Sequence, residues 1–179
     1  MEGPRFLFTA DKTSMTKAIY PGTFDPITHG HIDLITRGLQ IFDEVIVAVA
    51  RQPEEKKTLF SVEERVSLVR QTTSRLKRVT VESFDGLMVE YAKKKKVRTV
   101  VRGLRMLSDF EYEFQMALTN RKLSNEVETI FLMPQESYAY ISSRAIKEAA
   151  RLGGNIRAFV PELVAEALER KLRRNHGTT

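Results

Sequence analysis

The chain has no cysteine. That excludes disulfides, thiolate-ligated zinc and thiol catalysis together, and it fits a cytoplasmic protein. No apolar run approaches the roughly 18–20 residues of a membrane span. Near the start, Phe6-Leu7-Phe8 is too short for a signal-peptide core, and only one basic residue precedes it. Also missing are the Gly-x-x-x-x-Gly-Lys-Ser/Thr loop of enzymes that move a γ-phosphoryl group and the Gly-x-Ser-x-Gly elbow of serine hydrolases. No internal repeat, low-complexity tract or linker interrupts the 179 residues, a length suited to one domain with a real core. The net charge is +6, which invites a nucleic-acid reading. Much of the excess lies in Lys93-Lys94-Lys95-Lys96 and in Lys171 to Arg174, and like-charge blocks are ordinarily solvated surface. No RNA-recognition, zinc-finger or KH string accompanies them, and small phosphorylated substrates account for the remaining positive charge equally well.

What is present is an alternation of strand-like and helix-like segments, the pattern of a parallel sheet covered by helices. The expected fold is α/β: a Rossmann-like, doubly wound parallel sheet with helices on both faces, in a single domain over residues 15–174. Residues 1–14 read as an N-terminal extension, tag or leader, and residues 175–179 as a frayed tail. Candidate strands are Lys17–Tyr20, Glu44–Val49, Val79–Val81, Thr99–Val101 and Thr129–Leu132. Ser61 with Glu64 predicts a capping box and a helix to about Gln71. Asp85 is a candidate cap for a helix carrying Leu87, Met88 and Tyr91. Ser108 with Glu111 is a candidate cap for a longer helix through Phe110, Phe114, Met116, Ala117 and Leu123. Ser142 opens another, stopped near Gly153-Gly154. Pro161 suits the first turn of the last helix, whose apolar face is Leu163, Val164, Ala167, Leu168 and Leu172.

The chemistry concentrates at three strand ends. After Ala18-Ile19-Tyr20 comes the turn Pro21-Gly22-Thr23-Phe24-Asp25-Pro26, then Thr28-His29-Gly30-His31, where a helix is expected to open near His31. A helix N-terminus beyond a strand's carboxyl end is a ready phosphate site. His31 there is placed to hydrogen-bond a nonbridging oxygen of a reacting phosphate, a donor that can contribute a few kcal/mol in the transition state. His29 reads as solvent-facing. The Thr23 hydroxyl and N–H can reach a phosphate oxygen or close their own turn. Asp25 is a metal ligand or, more simply, a brace for the turn. The second cluster, Arg102-Gly103-Leu104-Arg105, follows Thr99-Val100-Val101 directly; arginine forks suit phosphate oxygens. Asp109 and Glu113 follow one helical turn apart. The third, Tyr138-Ala139-Tyr140-Ile141-Ser142-Ser143-Arg144, opens a helix on two serines with a cation beside it, although Ser142 alone would be explained by capping.

The string Tyr-Pro-Gly-Thr-Phe-Asp-Pro-Ile-Thr-x-Gly-His resembles the (H/T)xGH signature of the nucleotidylyltransferase superfamily and, within it, the bacterial phosphopantetheine adenylyltransferases. The likeness runs from about Thr16 to Leu172. It implies transfer of AMP from ATP to 4′-phosphopantetheine, giving dephospho-coenzyme A and pyrophosphate by in-line attack on the α-phosphate. His31 is the implied catalytic residue. The implied ATP contacts are Thr23, Phe24 (through its backbone), His31, Gly103, Leu104, Arg105, Glu113 and Tyr138 to Arg144. Arg144 departs from the Ser or Thr frequent after Ile-Ser-Ser in relatives. The implied acceptor contacts are Thr23, Arg102, Met88 and Lys56, the last aligned backward from Phe60 with Lys57 as the alternative. Mg2+ would accompany ATP; a homohexamer and feedback by coenzyme A are implied as well. Two other readings stay open. One is a superfamily member using nicotinate mononucleotide or a polyol phosphate, against which Lys56, Met88 and Arg102 speak. The other is a noncatalytic nucleotide- or RNA-binding module.

Overall fold

The computed structural model describes residues 15–51 and 58–176. Five strands, β1 (Lys17–Gly22), β2 (Glu44–Ala50), β3 (Val79–Phe84), β4 (Thr99–Gly103) and β5 (Glu128–Leu132), all pair in parallel in the order β3-β2-β1-β4-β5. Between them run α1 (His29–Ile41), α2 (Val62–Thr73), α3 (Met88–Lys95) and α4 (Leu107–Leu123). After β5 come a short α5 (Glu136–Ala139), α6 (Ser143–Arg151) and α7 (Glu162–His176). All five expected strands are present, each extended by one to three residues. The last helix includes Asn175 and His176, beyond the expected limit at 174; residues 1–14 and 177–179 lie outside the described residues.

The central strands are apolar on both sides because helices cover both faces. Val45 to Val49 are all buried, and side chains alternate between two cores. Ala18 and Tyr20 join Leu34 and Ile35 of α1, Leu68 and Val69 of α2, and Val164 and Leu168 of α7. Ile19, Ile46 and Ala48 point the other way, onto Val89 and Ala92 of α3. Fully burying one such aliphatic side chain contributes about 1.5–3 kcal/mol, so the two clusters hold the helices against both faces of the sheet.

The strand order reverses between β1, which leads toward β2 and β3, and β4, which leads toward β5. That is the topological switch point where the carboxyl ends of two strands part and leave a crevice. β4 ends in glycine where α1 packs: a Cβ on Gly103 would lie 2.4 Å from Leu34 Cδ1, so the buried leucine side chain would have to shift. Gly103→Ala should therefore cost about 1–3 kcal/mol by overpacking, read as a lowered midpoint in thermal melting.

Two expected caps are corrected. The Asp85 carboxylate accepts from the Gly86 N–H (2.9 Å), and α3 begins at Met88 with no side-chain cap. Ser108 lies inside α4, whose N-cap is Met106. α4 does not bury its large apolar side chains in the core. Its buried residue is Glu113, while Leu107, Phe110, Phe114, Leu118 and Leu123 are exposed.

Candidate active site

Two consecutive segments build the first wall of the crevice. β1 ends in a turn in which Gly22 lies against the Phe24 ring: a Cβ there would sit 2.9 Å from it. Phe24 has φ +51°, a left-handed backbone that is unusual and strained for a bulky side chain. Its ring is buried, edge-on to Tyr20 (5.5 Å) and His31 (5.1 Å). The Asp25–Pro26 peptide is cis. The Asp25 carboxylate accepts from the Leu59 and Phe60 N–H groups, at 3.0 and 2.9 Å, and pairs with Lys147 of α6. Asp25 is thus a brace between the turn, the approach to α2 and α6.

α1 opens two residues earlier than expected, with Thr28 as N-cap, so His31 is the third helical residue. It completes a reciprocal capping box: the His31 N–H donates to Thr28 Oγ1 (3.3 Å), and the Thr28 N–H donates to His31 Nδ1 (3.0 Å). Because Nδ1 accepts the backbone N–H, the ring proton of the neutral imidazole is on Nε2. Burial first, then the positive charges of Arg105 and Arg102, lowers the His31 pKa to about 4. At neutral pH the ring is therefore an uncharged Nε2–H donor. His29 is half-buried rather than solvent-facing. Its ring is 6.2 Å from that of Tyr138, and burial lowers its pKa against the opposing effect of a hydrogen bond to the Val160 backbone.

β4 supplies the opposite wall. Arg102 grips the Glu113 carboxylate with two donors, the Nε contact at 2.7 Å, and donates from Nη1 to Pro21 O (2.8 Å). Burial alone would lower the Arg102 pKa, but the bonds and charge of Glu113 raise it above the ordinary value. Arg105 grips Asp109 with Nε (3.0 Å) and Nη2 (3.1 Å) and donates from Nη1 to Ile141 O (2.7 Å). Asp109 and Glu113 of α4 thus hold the arginines; Glu113, in particular, is engaged with Arg102. Tyr20, buried beneath, keeps its proton because burial raises its pKa.

The third segment closes the site from α6. Ser142 caps α6 by accepting from the Ala145 N–H (3.1 Å), and Ser143 Oγ donates to Pro26 O (2.8 Å), tying α6 to the β1 turn. Ile141 is buried, Tyr138 and Ala139 are half-buried in or beside α5, and Tyr140 and Arg144 are exposed. Leu104 follows β4 and donates its N–H to Leu132 O (3.0 Å). Met88 begins α3 and packs on the second core. Lys56 and Lys57 lie outside the described residues.

A family model described as cytidylyltransferase-like matches residues 19–149. The phosphopantetheine adenylyltransferase of Caldanaerobacter subterraneus subsp. tengcongensis is 53% identical over 161 residues, covering 90% of this chain and 100% of that relative. The phosphopantetheine adenylyltransferase of Thermodesulfovibrio yellowstonii is 52% identical, covering 89% of this chain and 100% of the relative. The chain belongs to the phosphopantetheine adenylyltransferase family. A solved Vibrio parahaemolyticus structure assigned as a nicotinate-nucleotide adenylyltransferase superposes with a TM-score of 0.60 at 20% identity, over 87% of this chain and 99% of the other, and shares the fold.

Two residues of this adenylyltransferase-family site escaped the sequence reading. Lys147 sits in an ordinary polar helix stretch, and only the packing of α6 against the β1 turn gives it Asp25 as a partner. Arg65 lies in α2 among charged neighbours yet is 1% exposed. An arginine one position after a capping-box glutamate carries no local signal of burial.

Proposed function

We propose that the chain transfers AMP from ATP to 4′-phosphopantetheine, releasing pyrophosphate and forming dephospho-coenzyme A. The observation that carries this reading is the meeting of a neutral, pre-aimed His31 with Arg102 and Arg105 at the switch point. The acceptor's phosphate oxygen forms a bond to the α-phosphorus as the bond to the pyrophosphate oxygen breaks, so one P–O bond replaces another. The attacking phosphate is already anionic and needs no general base. His31 Nε2–H donates to a nonbridging α-phosphate oxygen, where preorganised donors act without reorganisation. Thr23 and the Phe24 backbone contact phosphate, and Gly103, Leu104 and Arg105 line the ATP side. Tyr138, Ala139, Tyr140, Ile141, Ser142, Ser143 and Arg144 complete that side. Glu113 serves the nucleotide site through the arginine it holds. Arg102 and Met88 line the acceptor side, and Lys56 is the further acceptor contact that the family resemblance implies.

Mg2+ enters with ATP, held largely by phosphate oxygens and water. Among the described residues no group of three or more His, Asp or Glu side chains could hold a metal ion. The resemblance-implied homohexamer is supported by the exposed apolar residues of α4 beside the edge strand β5, where Ile130 and Met133 are exposed too. Sedimentation of wild type and Phe114→Glu should show a large assembly in the first and smaller species in the second. Coenzyme A carries the same phosphopantetheine arm as the acceptor and is expected to compete with it. A cytoplasmic location fits the absence of cysteine; no helix among the described residues is long and apolar enough to cross a membrane.

The deciding experiment is pyrophosphate release by purified protein with ATP, Mg2+ and 4′-phosphopantetheine, beside nicotinate mononucleotide and acceptor-free controls. The expected result is release that requires phosphopantetheine, with dephospho-coenzyme A identified by mass. Release only with nicotinate mononucleotide would overturn the acceptor. No release with any acceptor, from folded protein that binds ATP, would overturn the transferase reading.

A further inference from the structure

Arg65 is a fully buried cation whose hydrogen bonds go to backbone carbonyls. Nη1 donates to Thr23 O (2.7 Å) and Ala50 O (2.8 Å), Nη2 to Arg51 O (3.2 Å) and Nε to Phe60 O (3.3 Å). These acceptors belong to the turn after β1, the carboxyl end of β2 and the approach to α2. Burying a guanidinium is unfavourable and is tolerated where its donors are satisfied. Here one side chain fixes the spacing of two adjacent strand ends at the rim of the crevice.

The contact with Thr23 has a directional consequence. In a trans peptide the carbonyl of Thr23 and the N–H of Phe24 lie in one plane and point in opposite directions. Pinning the Thr23 carbonyl to the buried guanidinium therefore turns the Phe24 N–H away from Arg65. Phe24 is 2% exposed, yet its N–H finds no acceptor among the described residues. Buried backbone donors without a partner are rare. This one follows the pinned Thr23 carbonyl, points opposite to it, and belongs to a residue held at φ +51°. A strained peptide persists where its surroundings over-determine it, and Arg65 supplies that constraint from below while the Tyr20 and His31 rings hold the Phe24 side chain.

We propose that Arg65 is a positioning residue of this site: its guanidinium locks the Thr23–Phe24 peptide so that the Phe24 N–H is presented to a phosphate oxygen of the nucleotide. The proposal rests on the adenylyl-transfer reading for its effect on turnover, and on phosphate binding alone for its effect on the amide.

The test is Arg65→Lys, which keeps the cation but cannot reach four carbonyls with a planar fork. Turnover is normalised to folded protein and compared with wild type, together with KM for each substrate and thermal melting. The expected result is a loss of kcat of roughly 10- to 100-fold, the scale of small misplacements in a reacting site. KM for ATP should rise more than KM for phosphopantetheine, which shares only the Thr23 contact. A lowered melting midpoint with wild-type kcat and KM would mark a merely structural role and overturn the proposal. If the variant does not fold, the decision passes to the Phe24 amide resonance of 15N-labelled wild type titrated with ATP and Mg2+. A downfield shift at saturation supports the proposal, and an unmoved resonance overturns it. A wild type that binds ATP but releases no pyrophosphate sinks the transferase reading; the Phe24 amide shift on ATP binding, compared between wild type and Arg65→Lys, then decides the role of Arg65, an equal shift in both overturning it.

Discussion

His31→Ala is expected to lower turnover by about 10²–10³-fold, the effect of deleting one preorganised donor aimed at developing charge. The same change removes half of a capping box, which costs only about 1 kcal/mol of stability, so the folded fraction and ATP affinity should change little. Steady-state pyrophosphate release beside calorimetric ATP binding separates the two effects. Wild-type turnover in the variant would remove His31 from the mechanism. A pH signature accompanies it. The folded-state pKa near 4 lies below the roughly 6.5 of an unfolded chain. Between these values the unfolded state binds the proton that the folded state refuses, so stability is full above about pH 6.5 and falls as pH drops toward 4. The integrated loss is on the order of 3 kcal/mol. Denaturant melts from pH 7 to 4 should show this slope in wild type and a shallower one in His31→Ala. Above pH 6 the ring stays neutral, so the kcat profile should carry no step from His31.

Glu113→Gln should give the second large effect, and it should divide differently between stability and turnover. The carboxylate is the charge partner of a largely buried arginine, and removing one member of such a pair typically costs about 3–5 kcal/mol because the other charge is left uncompensated. With Glu113 neutral, Arg102 keeps Pro21 O as its fixed partner and is free to rotate away from β1. Thermal melting should therefore fall steeply, and KM for phosphopantetheine should rise more than KM for ATP. An unchanged melting midpoint would show that Arg102 finds solvent or another acceptor, and the pair would lose its assigned role.

The comparison of two similar tetrads shows how far local pattern reaches. Ser61-x-x-Glu64 forms the expected reciprocal cap, with the Ser61 N–H donating to Glu64 (2.7 Å) and the Glu64 N–H to Ser61 (3.2 Å). Ser108-x-x-Glu111 has the same residue types and caps nothing, because α4 begins earlier, at Leu107. There the Arg105–Asp109 contact fixes the path out of β4. A capping motif is a statement about available donors and acceptors; the direction from which the chain arrives decides whether they are used. α4 adds that an apolar pair at helical spacing does not by itself mark the buried face, since Phe110 and Phe114 lie exposed on the described chain.

Position along the chain was enough to place the strands, a helix opening within two residues of His31, the arginines at the end of β4 and the Ile141-Ser142-Ser143 helix opening. Each of these is set by neighbours within a few residues: β-branched runs, turn residues and side chains that bond backbone three positions away. The pairings that make these segments into one site were decided only by the tertiary structure. Arg65 with Thr23, Lys147 with Asp25, Arg102 with Pro21 and Arg105 with Ile141 join residues 36 to 122 positions apart. Such contacts depend on the strand order, which places β4 beside β1, and on which helix covers each face. A single buried side chain can then satisfy carbonyls from three different segments, a property of packing that no local spacing of residues encodes.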